Sequence, residues 1–153
     1  MIDLMIFTKI GLALALSILV GFEREQNRKT AGIRDVALVT LGATLFSILA
    51  LELVNIASQF QPPIRYDMGR VIAYTVVGIG FLGSGVIMQT KDKLEGVTTA
   101  GTLWVMVATG LLLGIGLYAL ATISAVCVYL ILKSKQFRII IARRRKRRKR
   151  CKR

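Results

Sequence analysis

The constraint on the fold is a succession of apolar runs too long and too apolar for a soluble core. Residues 72–117 contain two such runs, both rich in glycine, on either side of the charged segment Lys91–Glu95. Each run has about the 20 residues that a helix needs to cross the hydrocarbon core of a bilayer. Small residues stand where a soluble core would place bulky ones, as is typical of helices packed together in lipid. The sequence therefore predicts an integral membrane protein.

Five apolar runs predict five membrane-spanning helices, at about residues 4–22, 33–55, 71–89, 97–113 and 117–132. The last two spans come from one apolar run, Val97–Leu132, whose 36 residues are too many for a single crossing. We divide this run at Gly114-Ile115-Gly116, because closely spaced glycines weaken a helix and permit a turn. We therefore expect an all-α transmembrane bundle over residues 1–132 and a basic tail over residues 133–153.

The formal net charge of +14 comes almost entirely from the tail. Residues 133–153 hold 13 Lys and Arg and no acid, whereas the remainder holds 9 basic and 8 acidic residues. We expect the basic run at residues 143–150 to bind anionic membrane lipids, at about 1 kcal/mol for each basic residue near the surface. Nucleic acid is a less favoured partner, because no aromatic residues interleave with these basic ones.

The distribution of Lys and Arg predicts the orientation. With five spans, the tail shares its side with two loops that hold Arg24, Arg28, Lys29 and Arg34, and Lys91 and Lys93. The opposite side receives only Lys9, Arg65 and Arg70. Cytoplasmic loops are enriched in basic residues, so we expect the C-terminus in the cytoplasm and the N-terminus outside. The segment around Pro62-Pro63 is then an external loop.

Ionisable residues at the ends of the runs are candidates for a functional site. Charges partly inside a membrane are costly unless they are paired. Glu23, Arg24, Arg34 and Asp35 either set the topology as interfacial charges or form a polar cluster in which Glu23 or Asp35 pairs with Arg34. Glu52 lies about 25 Å along the helix from Asp35. It is expected near the outer interface, with Arg65 or Arg70 as a candidate partner.

Gly78, Gly80 and Gly83 match the pattern G-x-G-x-x-G of dinucleotide-binding proteins. That fingerprint requires a strand before it and a helix after it, whereas these glycines lie inside a continuous apolar run. We interpret them as a surface that a neighbouring helix approaches closely. The alternative is a broken transporter helix, since glycine-interrupted spans also mark substrate sites.

The start of the fourth span carries the hydroxyl groups of Thr98, Thr99 and Thr102. They are expected to bond to preceding carbonyls of their own helix or to a neighbouring helix. Trp104 is a candidate interface anchor. The chain has no His, and its two Cys lack metal-ligand spacing, so we expect no metal and no cofactor. Since no nucleophile–base pair is visible either, we expect that the protein is not an enzyme.

Four segments, in order and at matching spacing, resemble the MgtC/SapB family of bacterial membrane proteins. They are Gly21–Glu25, Ala31–Ala43, Gly78–Met88 preceded by Arg70, and Gly96–Trp104. The resemblance implies a plasma-membrane protein with four or five helices. It assigns importance most directly to Glu23, Arg34, Gly78, Gly83, Thr98 and Trp104.

The resemblance also implies a physiological setting. Members of the family are linked to growth at low magnesium, acid tolerance and intracellular survival, and the best-known member is regarded as a regulator of the proton-translocating ATP synthase. We expect a regulator or accessory factor that acts on membrane partners as a homo-oligomer. The alternative is a subunit of a Mg²⁺ or proton transporter or channel. The best-known member has a soluble C-terminal domain where this chain has its basic tail, so we expect the membrane domain alone.

Overall fold

Over the residues that the structure describes, the protein is a bundle of five α-helices with one short β-hairpin. The computed structural model describes residues 2–60, 66–90 and 93–150. In chain order the elements are α1 Ile2–Gln26, α2 Ile33–Ala57, α3 Met68–Val86, β1 Met88–Thr90, β2 Lys93–Glu95, α4 Val97–Gly114 and α5 Tyr118–Arg150. Helices are what apolar runs must form in lipid, because only internal hydrogen bonds satisfy the backbone there.

Four of the described helices are long and apolar enough to cross a membrane: α1 from Leu4 onward, α2, α3 and α4. The fifth predicted span corresponds to the shorter apolar part of α5, Tyr118–Ser134. The helix then continues without a break to Arg150, so the basic segment at residues 143–150 is helical. The division of the long apolar run is confirmed, since α4 ends at Gly114 and Gly116 adopts the left-handed conformation at φ +89°.

The third span ends earlier than its hydropathy predicts. We expected it to reach Gln89, but α3 ends at Val86, and Met88–Thr90 pairs with Lys93–Glu95 in an antiparallel hairpin. Gly96 ends this hairpin and is required there for two reasons. Its φ of +89° disfavours other residues, and a Cβ atom would lie 2.8 Å from the carbonyl carbon of Val86.

Helix α4 occupies the centre of the bundle and touches each of the other four helices. It is the most buried of the membrane-length helices, with 56% of its apolar window inside the protein, against 6% for α3. Polar side chains join it to its neighbours. Ser47 Oγ on α2 donates to the carbonyl oxygen of Leu111 at 2.9 Å, and the hydroxyl groups of Thr109 and Ser124 lie 2.7 Å apart.

Glycine residues let α4 approach α2 more closely than residues with a Cβ atom would permit. A Cβ atom at Gly110 would lie 2.8 Å from the Cβ of Ala43, and one at Gly114 would lie 2.6 Å from the Oγ of Ser47. The facing residues on α2 are small as well, which is the usual composition of close helix pairs in membranes. This contact therefore fixes the separation of the two helices.

We predict that Gly110→Ala destabilises the bundle by about 1–3 kcal/mol, the usual cost of overpacking a well-filled core. The matched control is Gly78→Ala on α3, where a Cβ atom would have no neighbour within 4 Å. Thermal unfolding of both variants in the same detergent measures the effect. Equal unfolding temperatures for the two variants would show that α2 and α4 have room to separate.

Candidate functional site

Two charged residues of opposite sign are buried where α1 ends. Glu23 is 6% exposed and Arg24 is 4% exposed. They continue the inward face of α1, on which Ser17 and Val20 are fully buried. Their end of the bundle also holds the β-hairpin and the start of α4, and is called the hairpin end below. The sequence pattern predicted both residues as candidates for a functional site, but it did not predict that they are buried.

The guanidinium group of Arg24 reaches the first turn of α4. Its Nη2 donates to the Oγ1 of Thr99 at 2.5 Å, and Thr99 is 3% exposed. The Nε of Arg24 is also buried, and in the described part of the chain it has no hydrogen-bond partner. Asn27 supports the other charge, because its Nδ2 donates to both the carbonyl oxygen and the Oε1 of Glu23 at 2.7 Å.

These residues line a cavity of about 410 Å³ at the hairpin end. One wall is polar and comes from the end of α1 and the loop after it. The apolar part of the lining comes from α3, the hairpin, α4 and α5, through Val86, Met88, Leu94, Val97 and Leu132. Thr98, half-buried, lines the cavity beside Thr99. The cavity therefore brings four predicted site residues together: Glu23, Arg24, Thr98 and Thr99.

Two other carboxylates near this end accept hydrogen bonds from backbone N–H groups at the start of α2. The Asp35 carboxylate accepts a hydrogen bond from the N–H of Gly32 at 2.9 Å, and that of Glu25 accepts one from the N–H of Ile33. Negative groups at a helix N-terminus satisfy its free N–H groups and its dipole. Arg34 is exposed, and its pairing with Glu23 or Asp35, one of the two alternatives that the sequence leaves open, stays a prediction.

The glycine pattern on α3 does not mark a close contact within this chain. A Cβ atom at Gly78 or Gly80 would have nothing within 4 Å, and one at Gly83 would only reach ordinary contact with Ala100 at 3.7 Å. The close approaches occur instead at Gly21, Gly110 and Gly114. No described helix of this chain therefore packs closely on Gly78 or Gly80, and the predicted close approach of a helix from another chain stays a prediction.

The remaining predicted residues lie on the surface. Glu52 is exposed on α2 and Arg70 is exposed in the first turn of α3, both at the end opposite the hairpin end. Trp104 is 54% exposed on α4. The predictions for the Pro62-Pro63 loop, Arg65 and Lys91 concern residues outside the described ones.

Two polar residues that matter were not singled out from the sequence as site residues. Asn27 gave no signal, because nothing in its surroundings predicts that it holds a buried carboxylate. Lys9 interrupts the first apolar run, and its Nζ donates to the carbonyl oxygen of Gly114 at 2.7 Å. A cation in an apolar run is itself a signal, since it must find a partner.

The comparisons with known proteins agree with this architecture. The family model described as the MgtC family matches residues 10–138. The chain belongs to the MgtC family. That match includes the buried pair, the α3 glycines and the threonines of α4. The family is not a known enzyme family, and our expectation that this chain is not an enzyme stays a prediction.

Relatives in three bacteria are similar over most of this chain. Protein MgtC of Salmonella typhimurium is 37% identical over 130 residues, which is 83% of this chain and 52% of that protein. An uncharacterised protein of Haemophilus influenzae is 35% identical over 82% of this chain and 53% of its own length. The putative magnesium transporter YhiD of Escherichia coli is 33% identical over 74% of this chain and 53% of its own.

The chain spans about half the length of the curated relatives it matches. No solved structure matches it significantly. The membrane-length helices and the family together identify a membrane protein of the MgtC family.

We predict that Thr99→Val destabilises the protein by roughly 1–3 kcal/mol, because the buried Arg24 guanidinium loses the hydroxyl acceptor of Thr99. Thr102→Val is the matched control. Thr102 is also buried on α4, but its hydroxyl donates to the Thr98 carbonyl of its own helix, at 2.8 Å. Thermal unfolding compares the two variants. If Thr102→Val loses as much stability as Thr99→Val, the loss does not come from the contact with Arg24.

Proposed function

We propose that this chain is a plasma-membrane protein of magnesium homeostasis, or of low-magnesium and acid stress, that regulates a membrane complex through helix contacts. The observation that carries the proposal is the uncovered surface of α3. This helix is long enough to cross the membrane, yet only 6% of its apolar window is buried within the chain. Its outward face remains available to a helix of another protein.

The composition of that face suits a close contact between helices. Gly78 and Gly80 have open space where a side chain would be, while Tyr74, Val77 and Phe81 project around them. Small residues flanked by larger ones allow two backbones to approach and gain van der Waals contacts in lipid. Exposed glycine therefore has a structural use on this helix only if a partner covers it.

An apolar groove of about 620 Å³ continues this surface between α2 and α3. Gly42 and Phe46 on α2 and Leu82 on α3 are among its walls, and Val107 of α4 lies at its floor. The groove extends the area that a neighbouring helix could bury. The partner would be a second copy of the chain or a membrane complex such as the proton-translocating ATP synthase.

The magnesium role rests on the family and on the names of relatives, one of which is called a putative magnesium transporter. That name also supports the second candidate, a subunit of a Mg²⁺ or proton transporter. The described residues contain no group of three or more His, Cys, Asp or Glu side chains that could hold a metal ion. This favours regulation over ion transport, because Mg²⁺ sites are built from oxygen ligands such as carboxylates.

The proposed orientation has the hairpin end and the C-terminus in the cytoplasm and the N-terminus outside. The exposed basic residues Arg28, Lys29 and Arg34 all lie at the hairpin end. Basic residues are retained on the cytoplasmic side of bacterial inner membranes. In this orientation the basic segment at residues 143–150, the last part of α5, lies on the cytoplasmic side, where anionic headgroups attract it.

We predict that the purified chain in liposomes conducts no Mg²⁺ and no protons above the level of protein-free liposomes. Dyes inside the liposomes that respond to Mg²⁺ or to pH measure the flux. The reason is that the proposed activity is exerted on a partner that the liposomes lack. A flux that requires the protein and disappears in Glu23→Gln or Glu52→Gln would contradict the regulatory function and support the transporter.

We predict that Gly80→Leu reduces crosslinking of the chain to its partner in native membranes by several-fold, because the side chain blocks close approach to α3. Gly11→Leu is the matched control, since Gly11 is exposed on α1 and its Cβ position is also empty. Crosslinked products are identified by mass spectrometry. Equal loss in both variants would point to a general effect of bulk in lipid and not to an α3 interface.

A further inference from the structure

We propose that the cavity at the hairpin end is a binding site for a phosphate group, held by Arg24, Arg28 and the N-terminus of α4. The phosphate is either the headgroup of a lipid or free phosphate, which share the same chemistry. This site does not depend on the proposed regulatory role. Four observations lead to it.

The first observation is the unused donor of a buried arginine. Arg24 is 96% buried and lines the cavity, and only its Nη2 has an observed acceptor, the Oγ1 of Thr99. Its buried Nε has no hydrogen-bond partner in the described part of the chain. A guanidinium group carries five N–H donors in a planar fork that matches the oxygens of phosphate. An anion in the cavity would add an acceptor for this guanidinium group to the one that Thr99 provides.

The second observation is the helix terminus beside this arginine. Residues 96–99 line the cavity, so the first turn of the 18-residue helix α4 faces it. The N-cap is Gly96, and no side chain among the described residues donates or accepts a capping hydrogen bond at Gly96. The N–H groups of a first turn have no acceptor within their helix, and the helix dipole places a partial positive charge there. Such a terminus favours phosphate or another anion.

The third observation is the balance of charge around the cavity. Three cationic side chains line it, Arg24, Arg28 and Lys29, against two carboxylates, Glu23 and Glu95. Glu23 accepts a hydrogen bond from Asn27, and Glu95 is exposed on β2. The helix terminus adds to the positive side of this balance. The cavity therefore attracts an anion more than a cation.

The fourth observation is the shape and lining of the cavity. Its volume of about 410 Å³ lies within the range of about 300–1,000 Å³ that is usual for small-molecule sites. Part of the lining is apolar, with Met88 and Leu94 from the hairpin and Leu132 from α5. A phosphate that carries an acyl chain would meet both charged and apolar side chains in this cavity.

The test uses the full chain, purified in an uncharged detergent and freed of lipid. In one arm, sodium phosphate is compared with sodium chloride at the same ionic strength. In the other arm, phosphatidic acid is compared with a diacylglycerol that has the same acyl chains but no phosphate. The unfolding temperature is followed against ligand concentration to obtain an apparent Kd. We expect a saturable stabilisation that requires the phosphate.

The variants connect this binding to the cavity. Arg24→Gln should weaken the apparent Kd by at least about tenfold, or about 1.4 kcal/mol. Arg28→Gln/Lys29→Gln keeps the buried residues intact and should weaken the Kd by about three- to tenfold, which tests the site even if Arg24→Gln does not fold. The control, Lys93→Gln/Lys133→Gln, removes two exposed charges at the same end that do not line the cavity. It should leave the Kd within about twofold of the original.

Each outcome either identifies the source of the phosphate or overturns the proposal. Binding of phosphatidic acid without binding of sodium phosphate identifies a lipid headgroup, and binding of both identifies the phosphate group alone as sufficient. Absence of stabilisation in both arms overturns the proposal. So does a control pair that weakens binding as much as Arg28→Gln/Lys29→Gln, because the effect would then be general surface charge.

Discussion

The close contact between α2 and α4 is the constraint on which the rest of the structure depends. Gly110 and Gly114 remove the side chains that would hold the two backbones apart, and Ala43 and Ser47 face them with small groups. The short separation lets Ser47 reach the carbonyl oxygen of Leu111. In lipid, where apolar surface gains little from burial, such packing and hydrogen bonds supply the association energy. Helix α4 is thereby held at the centre of the bundle.

The central position of α4 brings a cation from α1 to each of its ends, with opposite electrostatic consequences. Lys9 donates to the carbonyl oxygen of Gly114 at the C-terminus, where the helix dipole favours positive charge. Arg24 lies at the N-terminus beside Thr99, where the same dipole opposes it. The neighbouring carboxylate of Glu23 offsets that repulsion in part. The first contact stabilises the fold, whereas the second has the unbalanced charge expected of a binding site.

Run lengths in the sequence predict the helices well, but they do not predict which surfaces meet. The break at Gly114–Gly116 follows from the excess length of one run, and α4 does end at Gly114. The glycines of α3 and α4 look alike in the sequence, because lipid and the bundle interior are both apolar. A spacing of four, as between Gly110 and Gly114, places two glycines on one helix face, and that spacing was the available signal. The position of that face relative to α2 required the structure.

The helical periodicity of α1 contains a signal for the buried charges that hydropathy alone does not show. By hydropathy the apolar run stops at Phe22, whereas α1 continues to Gln26 and carries Arg24 onto the face of Ser17 and Val20. Extending the buried stripe by three and four residues predicts burial at Glu23 and Arg24. Charges buried in that way need polar groups on the neighbouring helix. The threonines at the start of α4 are such groups, so the two features that seemed separate in the sequence form one site.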